Sequence, residues 1–503
     1  MDLKILIFSP LILSIIFLLP IFSGKSVLIR RIAKTFAGVH FIYSLIFLVF
    51  FNTSLTSNYD TELTFLGQNW LGTMGISLNM GVDGISMMLV ILTTFLTLMS
   101  CIASKGIIRT KHGLYYALIF LLETSVLGVF CAKDMFEFFM FWELELVPMY
   151  FLISLWGSGN SKKSAMKFLL YTFVGSLFML CGFLMLYNFN FISTSELTAN
   201  MDKLRFDFDS APMYLQLITS VLILIGFAVK LPIVPLHSWL PAAHVDAPTP
   251  VSMLLAGVLL KMGAYGIIRF NISMLSDAFL VLIPYLVIFA FINILYSAVL
   301  AYGQFDIKKV VAYSSISSMG IVLLGFCAAN SLGIAGAVFL MLAHGIVSAG
   351  LFFVVGVIHK RTGTRDIRQL SGLATKMPHI ASFALILIMS SIGLPLLMSF
   401  PGEFLVFFGA FVSAILANYY IQVLALSAIL VLVLSAAYLL RVMHGAFYSE
   451  ISERYFKIND MAVHEFVILS ALSILLFVFG VFPMTLIDIY LPYVRAIAEA
   501  FGG

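Results

Sequence analysis

The chain of 503 residues carries a formal net charge of only +4, and 62% of its residues are hydrophobic whereas 10% are Asp, Glu, Lys or Arg. Soluble domains contain about a quarter charged residues because their surfaces must be solvated. This composition therefore excludes an ordinary soluble protein and indicates a surface that faces lipid. The sequence has no basic tail and no basic patch interleaved with aromatic residues, which argues against nucleic acid as a partner.

About fourteen apolar segments are long enough to cross a bilayer, whose hydrocarbon core needs about 20 helical residues per crossing. The first resembles a signal peptide, but it is longer than a typical apolar signal segment and lacks a small-x-small cleavage site. The twelfth is too long for one straight crossing and contains Pro395 and Pro401, which predicts a broken helix. The predicted spans are 4–22, 32–51, 81–103, 113–131, 135–156, 165–190, 214–234, 249–270, 277–302, 310–328, 333–358, 379–416, 420–446 and 463–483.

Basic residues divide unevenly between the two sides of these spans. Of the 28 Lys and Arg, 20 fall in loops after odd-numbered spans, 6 fall in the opposite loops or the termini, and 2 lie within spans. Cytoplasmic loops are enriched in Lys and Arg. The asymmetry therefore supports this number of spans, and it predicts a multi-pass membrane protein with both termini on the non-cytoplasmic side.

The seventh and twelfth spans carry similar interruptions. The segments GFAVKLPIVPLHSWLP (226–241) and SSIGLPLLMSFPGEF (390–404) each contain Leu-Pro followed by a second proline. Paired breaks in two halves are typical of transporters built from inverted repeats, although a match this short can also be coincidental. The predicted units are three N-terminal helices in 1–112, five-helix repeats in 113–270 and 277–446, and a last helix with a tail in 463–503.

Among the ionisable side chains inside the predicted spans, seven are candidates for a functional role. A charge at the centre of a bilayer costs about 2.5–3.5 kcal/mol on insertion scales, so we expect these groups to face the interior of the bundle. They either lock helices together as pairs or move protons. They are Glu123, Glu143, Glu145, Lys230, Lys261, His344 and Glu403.

Proton transfer is the interpretation that we favour for Glu143, Lys230, Lys261 and Glu403. Burial disfavours the charged form of lysine and a nearby carboxylate favours it, so moving that carboxylate would load or unload the amine. For Glu123 and Glu145 a structural or boundary position is at least as well supported. His344 fits either packing or a relay. The serines of AYSSISSMG fit either ordered water or helix contacts: Ser314, Ser315, Ser317 and Ser318.

The sequence predicts no metal ion or organic cofactor. Its four cysteines, Cys101, Cys131, Cys181 and Cys327, form no C-x-x-C pair, so haem, zinc and iron–sulfur sites lack their usual spacing. We expect buried, inert thiols. Neither a G-x-G-x-x-G nor a G-x-x-x-x-G-K-[ST] motif is present, so nucleotide binding is not expected.

The sequence resembles the antiporter-like membrane subunits of respiratory complex I, the NADH:quinone oxidoreductase, most closely those of the subunit M or mitochondrial chain 4 type. The resemblance covers nearly the whole chain. Subunits L and N usually have lysine where this chain has Glu403, so that residue favours the M type. The matching segments are FWELELVPMYFLISLWG (141–157), VKLPIVPLHSWLPAAHVDAPTPVSMLLAGVLLKMGAYGIIRF (229–270), DIKKVVAYSSISSMG (306–320), LAHGIVSAGLFF (342–353), RTGTRDI (361–367) and FPGEFLVFFGAF (400–411).

The resemblance implies roles for five residues. Glu143 would pair with Lys230, Lys261 would be the central relay, His344 would lie between Lys261 and Glu403, and Glu403 would exchange protons at the end. Glu145 is about 200° around a continuous helix from Glu143, so we expect it to point elsewhere.

At Ser318 the sequence departs from the family, because related chains often have histidine there. A relay through that point would then need a hydroxyl or water.

The implied function is proton translocation in NADH:quinone oxidoreductase, a translocase to which this chain would contribute a subunit without redox chemistry of its own. Quinone reduction elsewhere in the complex would drive it. The implied partners are the sister subunits L and N, lipid, internal water and protons. Two alternatives remain at this point: the D-type subunit of a multisubunit Na+/H+ antiporter, and a membrane scaffold that does not pump.

Overall fold

Helices make up nearly all of the chain in the computed structural model, which describes residues 2–22, 24–54, 61–64, 70–208, 210–499 and 501. The α-helices are α1 (Leu3–Leu18), α2 (Ser26–Ser54), α3 (Gly84–Ala103), α4 (His112–Cys131), α5 (Met135–Leu144), α6 (Leu146–Trp156), α7 (Ser161–Thr194), α8 (Met201–Phe208), α9 (Met213–Lys230), α10 (Trp239–Asp246), α11 (Thr249–Leu254), α12 (Leu260–Gly266), α13 (Ser276–Tyr302), α14 (Ile307–Cys327), α15 (Ser331–Thr362), α16 (Pro378–Ile392), α17 (Ser399–Val412), α18 (Tyr419–Ser427), α19 (Leu430–Met443), α20 (Val463–Val481) and α21 (Met484–Glu499).

Within the described residues, 12 helical segments are long and apolar enough to cross a membrane. Three shorter apolar helices account for the other two predicted spans. Helix α1 is the first span, and α16 and α17 are the two halves of the twelfth. The prediction of an all-α, polytopic membrane protein with about fourteen spans is therefore confirmed. A short antiparallel pair, β1 (Thr61–Thr64) with β2 (Asn79–Val82), lies in the loop before α3 and was not predicted.

Both predicted proline breaks are present. The seventh span stops at Lys230 and helix resumes at Trp239, whereas the twelfth stops at Ile392 and resumes at Ser399. Proline lacks an N–H donor and crowds the preceding turn, which explains the interruptions. The Val234 N–H, released from helical bonding, donates to Asn293 Oδ1 at 2.9 Å. The inverted relation between units 113–270 and 277–446 stays a prediction.

The fifth span contains a third break, which the sequence analysis did not foresee. Helix α5 ends at Leu144 and α6 begins at Leu146, with Glu145 between them. Pro148 accounts for this position, because a proline ring clashes with the carbonyl four residues earlier, here that of Leu144. Glu145 itself keeps helical dihedral angles, with φ −68° and ψ −22°.

The C-terminal tail is itself helical and packs against the bundle. In α21 the Tyr490 hydroxyl donates to the Ala335 carbonyl of α15 at 3.1 Å. The first turn of α3 approaches the tail so closely that a Cβ at Gly84 would lie 2.4 Å from the Ile489 carbonyl oxygen.

One cysteine departs from the expectation of buried thiols. Cys181 lies on the exposed face of α7, so the prediction is wrong for this residue. The other three are buried, and all four are free thiols.

Candidate functional site

Lys230, the last residue of α9, is almost completely buried and forms an ion pair with Glu145. Its ammonium also lies over the Trp142 ring, 4.6 Å from the ring centroid. The ion pair in this structure is thus with Glu145, whereas the pairing with Glu143 that the resemblance implies stays a prediction. Glu143 is half-buried.

Glu145 lies on the enclosed side of this span and is fully buried, whereas Glu143 is half-buried. Residues two apart on a helix are about 200° apart around its axis. The backbone at Glu145 keeps helical dihedral angles (φ −68°, ψ −22°), so the two carboxylates lie on different sides of the span. The role of Glu143 as a site residue stays a prediction.

Lys261 lies in one of the two most deeply buried spans, between two π-helical segments, Leu255–Leu259 and Ile267–Ile272. Single π turns inside α-helices occur frequently at functional sites. The Lys261 side chain has no exposed surface, and its Nζ donates to the Ala256 carbonyl at 2.6 Å. The helix thus supplies one polar partner for its own buried amine.

The second partner of Lys261 is His344 on α15. Lys261 Nζ and His344 Nδ1 are 2.7 Å apart, and both side chains are buried. A nitrogen–nitrogen hydrogen bond needs one proton between its two atoms, so either the lysine donates or the histidine does. The pair can therefore hold an extra proton on either residue and pass it along the contact.

Glycines allow the helices of this site to approach closely. A Cβ on Gly263, two residues after Lys261, would lie 3.1 Å from the Lys230 Cβ and 2.8 Å from the Leu231 nitrogen. Next to His344, a Cβ on Gly345 would lie 2.9 Å from the Gly257 carbonyl oxygen. These approaches bring the helices of Lys230, Lys261 and His344 into backbone contact.

We expect Gly345→Ala to reduce the amount of assembled protein, because the new methyl has no space between α15 and the Gly257 carbonyl. Overpacking of this kind typically costs about 1–3 kcal/mol. The measurement is the thermal unfolding midpoint of the purified protein in detergent. Gly303→Ala is the control, since its Cβ would meet nothing closer than 3.6 Å. Equal midpoints for the two variants would contradict this account.

Glu403 lies near the start of α17, after the twelfth-span break, and is 7% exposed. Gly393, whose φ is 82°, ends α16 beside it, and a Cβ there would lie 2.2 Å from Glu403 Oε2. A cavity of about 450 Å³ borders the carboxylate and is lined largely by phenylalanines of α17. A Cβ on the preceding Gly402 would lie 3.0 Å from the Leu340 nitrogen of α15, one turn from His344.

Glu123 and the four serines of α14 form contacts away from Lys230, Lys261 and Glu403, and the choice between their structural and functional interpretations stays open. Glu123 Oε1 lies 3.1 Å from His40 Nδ1, whose other ring nitrogen lies 2.8 Å from the Leu6 carbonyl oxygen. This contact joins α1, α2 and α4. The four serine hydroxyls of α14 all donate to backbone carbonyls: Ser314, Ser315, Ser317 and Ser318.

Sequence reasoning missed two buried groups near the line of site residues. His244 in α10 has no exposed surface, stacks on Phe352 at 4.3 Å, and has no hydrogen bond on either ring nitrogen among the described residues. Lys308, assigned to a loop, is also buried and donates to the Ala247 carbonyl at 2.6 Å. Each lies in a segment that carries the family resemblance, His244 in 229–270 and Lys308 in 306–320. Lys308 was assigned to a loop because it adjoins Lys309 near the start of its helix.

Comparison with known proteins supports the same family. Residues 132–429 match the family model described as NADH:quinone oxidoreductase/Mrp antiporter, TM. NADH-quinone oxidoreductase subunit M of Rickettsia felis is 34% identical, with 99% of each chain covered. NAD(P)H-quinone oxidoreductase chain 4 1 of Synechococcus elongatus is 42% identical over 76% of this chain and 70% of its own length.

Two solved structures have closely similar folds. A chain in the structure of respiratory complex I from Thermus thermophilus with bound NADH is 27% identical, with 100% of each chain covered and a TM-score of 0.86. A chain of the Mrp complex from Dietzia sp. is 20% identical, with 99% of each chain covered and a TM-score of 0.84. The second likeness shows the fold alone. The matched region and the full-length relatives together show that this chain belongs to the NADH:quinone oxidoreductase and Mrp antiporter membrane-subunit family, and within it to the subunit M and chain 4 type.

Proposed function

We propose that this chain moves protons across a bacterial inner membrane as an antiporter-like subunit of NADH:quinone oxidoreductase. Quinone reduction in other subunits supplies the energy. The observation that carries the proposal is the buried Lys261–His344 contact. The helix of Lys261 packs against that of Lys230, and the helix of His344 packs against that of Glu403. Buried ionisable groups in a membrane bundle are costly and typically mark proton or ion pathways.

The line of groups runs from Glu143 and Lys230 through Lys261 and His344 to Glu403. The basic loops face the cytoplasm and both termini face the opposite side. His244 and Lys308 extend the line towards the basic loops, because Lys308 belongs to the helix start that follows one of them. The sister subunits L and N are the partners we expect at the two ends of the line.

The relatives favour this function over the alternatives. Those with 34% and 42% identity are quinone oxidoreductase subunits, whereas the Mrp chain shares only the fold. A scaffold function is the alternative that the following experiment tests.

Replacing Lys230 with alanine tests the proposal. We expect quinone-dependent proton uptake by inverted membrane vesicles to fall by about tenfold. Every proton passes through each group of a relay, so removing one group interrupts the whole transfer. Electron flow from NADH to an artificial acceptor that bypasses quinone measures how much complex has assembled. Normal uptake per assembled complex would show that the chain is a scaffold. Lys203→Ala changes a lysine of the short helix α8 outside the spans and serves as the control.

A further inference from the structure

A polar cavity lies at the far end of the span that carries Lys261, Thr249–Ile272. Its volume of about 200 Å³ is large enough for water molecules. It is on the side of the bundle that holds the C-terminal helix α21, because Tyr493 of that helix contributes to its wall. Arg269, which also borders it, lies eight residues after Lys261, about 12 Å along the helix axis. The other polar residues of the wall are Lys133, Asp202 and Ser273.

The guanidinium of Arg269 is held from three sides. It lies over the rings of Tyr265 and Tyr493, 5.0 Å from each ring centroid, and its Nε donates to the Tyr265 hydroxyl at 2.8 Å. Its other nitrogens donate to the Tyr493 hydroxyl and to the buried Asp83 carboxylate. Asp83 is itself fixed, because its second oxygen accepts two backbone N–H groups of α3 at 2.9 Å. One side chain thus joins the span of Lys261 to α3 and α21.

This arrangement offers no route for a proton. Transfer along hydrogen bonds needs groups that both accept and donate, whereas a guanidinium has donors only and keeps its proton. Tyr265 is the only polar side chain between Lys261 and Arg269 in the sequence. Its hydroxyl donates to the Phe130 carbonyl at 2.8 Å and accepts from Arg269. The hydroxyl proton therefore points to a backbone carbonyl, which cannot pass a proton on.

We propose that Arg269 is a barrier that closes the direct route between the cavity and Lys261. Without it, protons that have been moved across the membrane could return from the cavity to Lys261 and from there to the side of the basic loops. A fixed positive charge repels an incoming proton, and an arginine can exclude protons from a membrane pore in this way. Exchange at Glu403 does not pass this barrier. The proposal rests on the proposed proton transfer through Lys261.

The test uses inverted vesicles that contain the whole complex. Proton uptake is measured against NADH oxidation, and the decay of the proton gradient is followed once NADH is exhausted. We expect Arg269→Gln to speed this decay by about threefold or more and to lower proton uptake per NADH oxidised, because the positive barrier is gone. NADH oxidation to the artificial acceptor should stay normal, since the complex still assembles.

Arg441→Gln is the matched control. Arg441 of α19 also lies over two aromatic rings, at 5.2 and 5.0 Å from their centroids, but it is outside the span of Lys261. Its vesicles should hold the gradient normally. Lys261→Ala added to Arg269→Gln should restore the slow decay, because protons from the cavity then lack their acceptor. Fast decay that persists in this double variant would come from disturbed packing and would overturn the proposal.

Two other results would also contradict the barrier. One is unchanged decay in Arg269→Gln at a normal amount of complex. The other is lower uptake without faster decay, which would make Arg269 part of the pumping route. If Arg269→Gln does not assemble, Arg269→Lys decides, because an ammonium keeps the charge but can release its proton. That variant should also speed the decay, and Lys261→Ala should reverse the effect; a tight Arg269→Lys variant would reject the barrier.

The outcomes also distinguish this proposal from the proposed function. Normal uptake in Lys261→Ala would reject the relay through that lysine. Tight vesicles in Arg269→Gln together with loss of uptake in Lys261→Ala would reject the barrier and keep the relay.

Discussion

Replacing Lys261 with arginine is expected to lower quinone-dependent proton uptake by about tenfold or more per assembled complex, although the positive charge is kept. Arginine cannot give up its proton in a protein, so it could occupy the position without passing a proton to His344. Lys261→Ala should lose uptake to a similar extent, because His344 Nδ1 then loses the partner that lies 2.7 Å away. Proton uptake by inverted vesicles is the measurement.

The control for Lys261 is Lys309→Ala, which removes an exposed lysine on α14. It should leave uptake unchanged. Near-normal uptake in Lys261→Arg would mean that the site needs a fixed charge and not a transferable proton, and the relay would then have to bypass this residue.

Glu403→Gln is expected to lower proton uptake by about tenfold, because glutamine keeps the shape of the side chain but cannot bind and release a proton. Glu403→Asp keeps the carboxyl group and should retain part of the uptake. It should not retain all of it, because the shorter side chain withdraws the carboxylate from its place against Gly393. The same vesicle measurement applies to both variants.

Glu453→Gln provides the comparison for Glu403, since Glu453 is an exposed glutamate in the loop before α20. It should pump normally. Full uptake in Glu403→Gln would show that protons leave or enter the line at a different group, and His344 would then be the first residue to examine.

The fold was largely predictable because its strongest determinants are local. Apolar length identifies the spans, and the prolines at 232, 235, 395 and 401 mark the seventh- and twelfth-span breaks. The break at Glu145 was equally readable from Pro148, which lies in the quoted sequence, but the apolar run across it suggested one helix. The tail helix α21 was missed because its sequence is too polar to be read as a span.

The sequence predicted which residues form the site better than it predicted which of them are in contact. A lysine or glutamate inside an apolar run stands out by composition, so Lys230, Lys261 and Glu403 could be selected without a structure. Which groups touch depends on helix rotation and on long-range approach. The Lys261–His344 contact spans 83 positions of sequence, and the Lys230–Glu145 pair spans 85 positions.

The two π-helical segments around Lys261 have a consequence for how this lysine can be moved. Each π turn accommodates a surplus residue, because its hydrogen bonds skip one position more than those of an α-helix. The short stretch Leu260–Gly266 between them can therefore change register while both ends of the long helix stay anchored. One step of register corresponds to about 1.5 Å along the axis and about 100° around it, which is enough to bring the amine to His344 or to take it away.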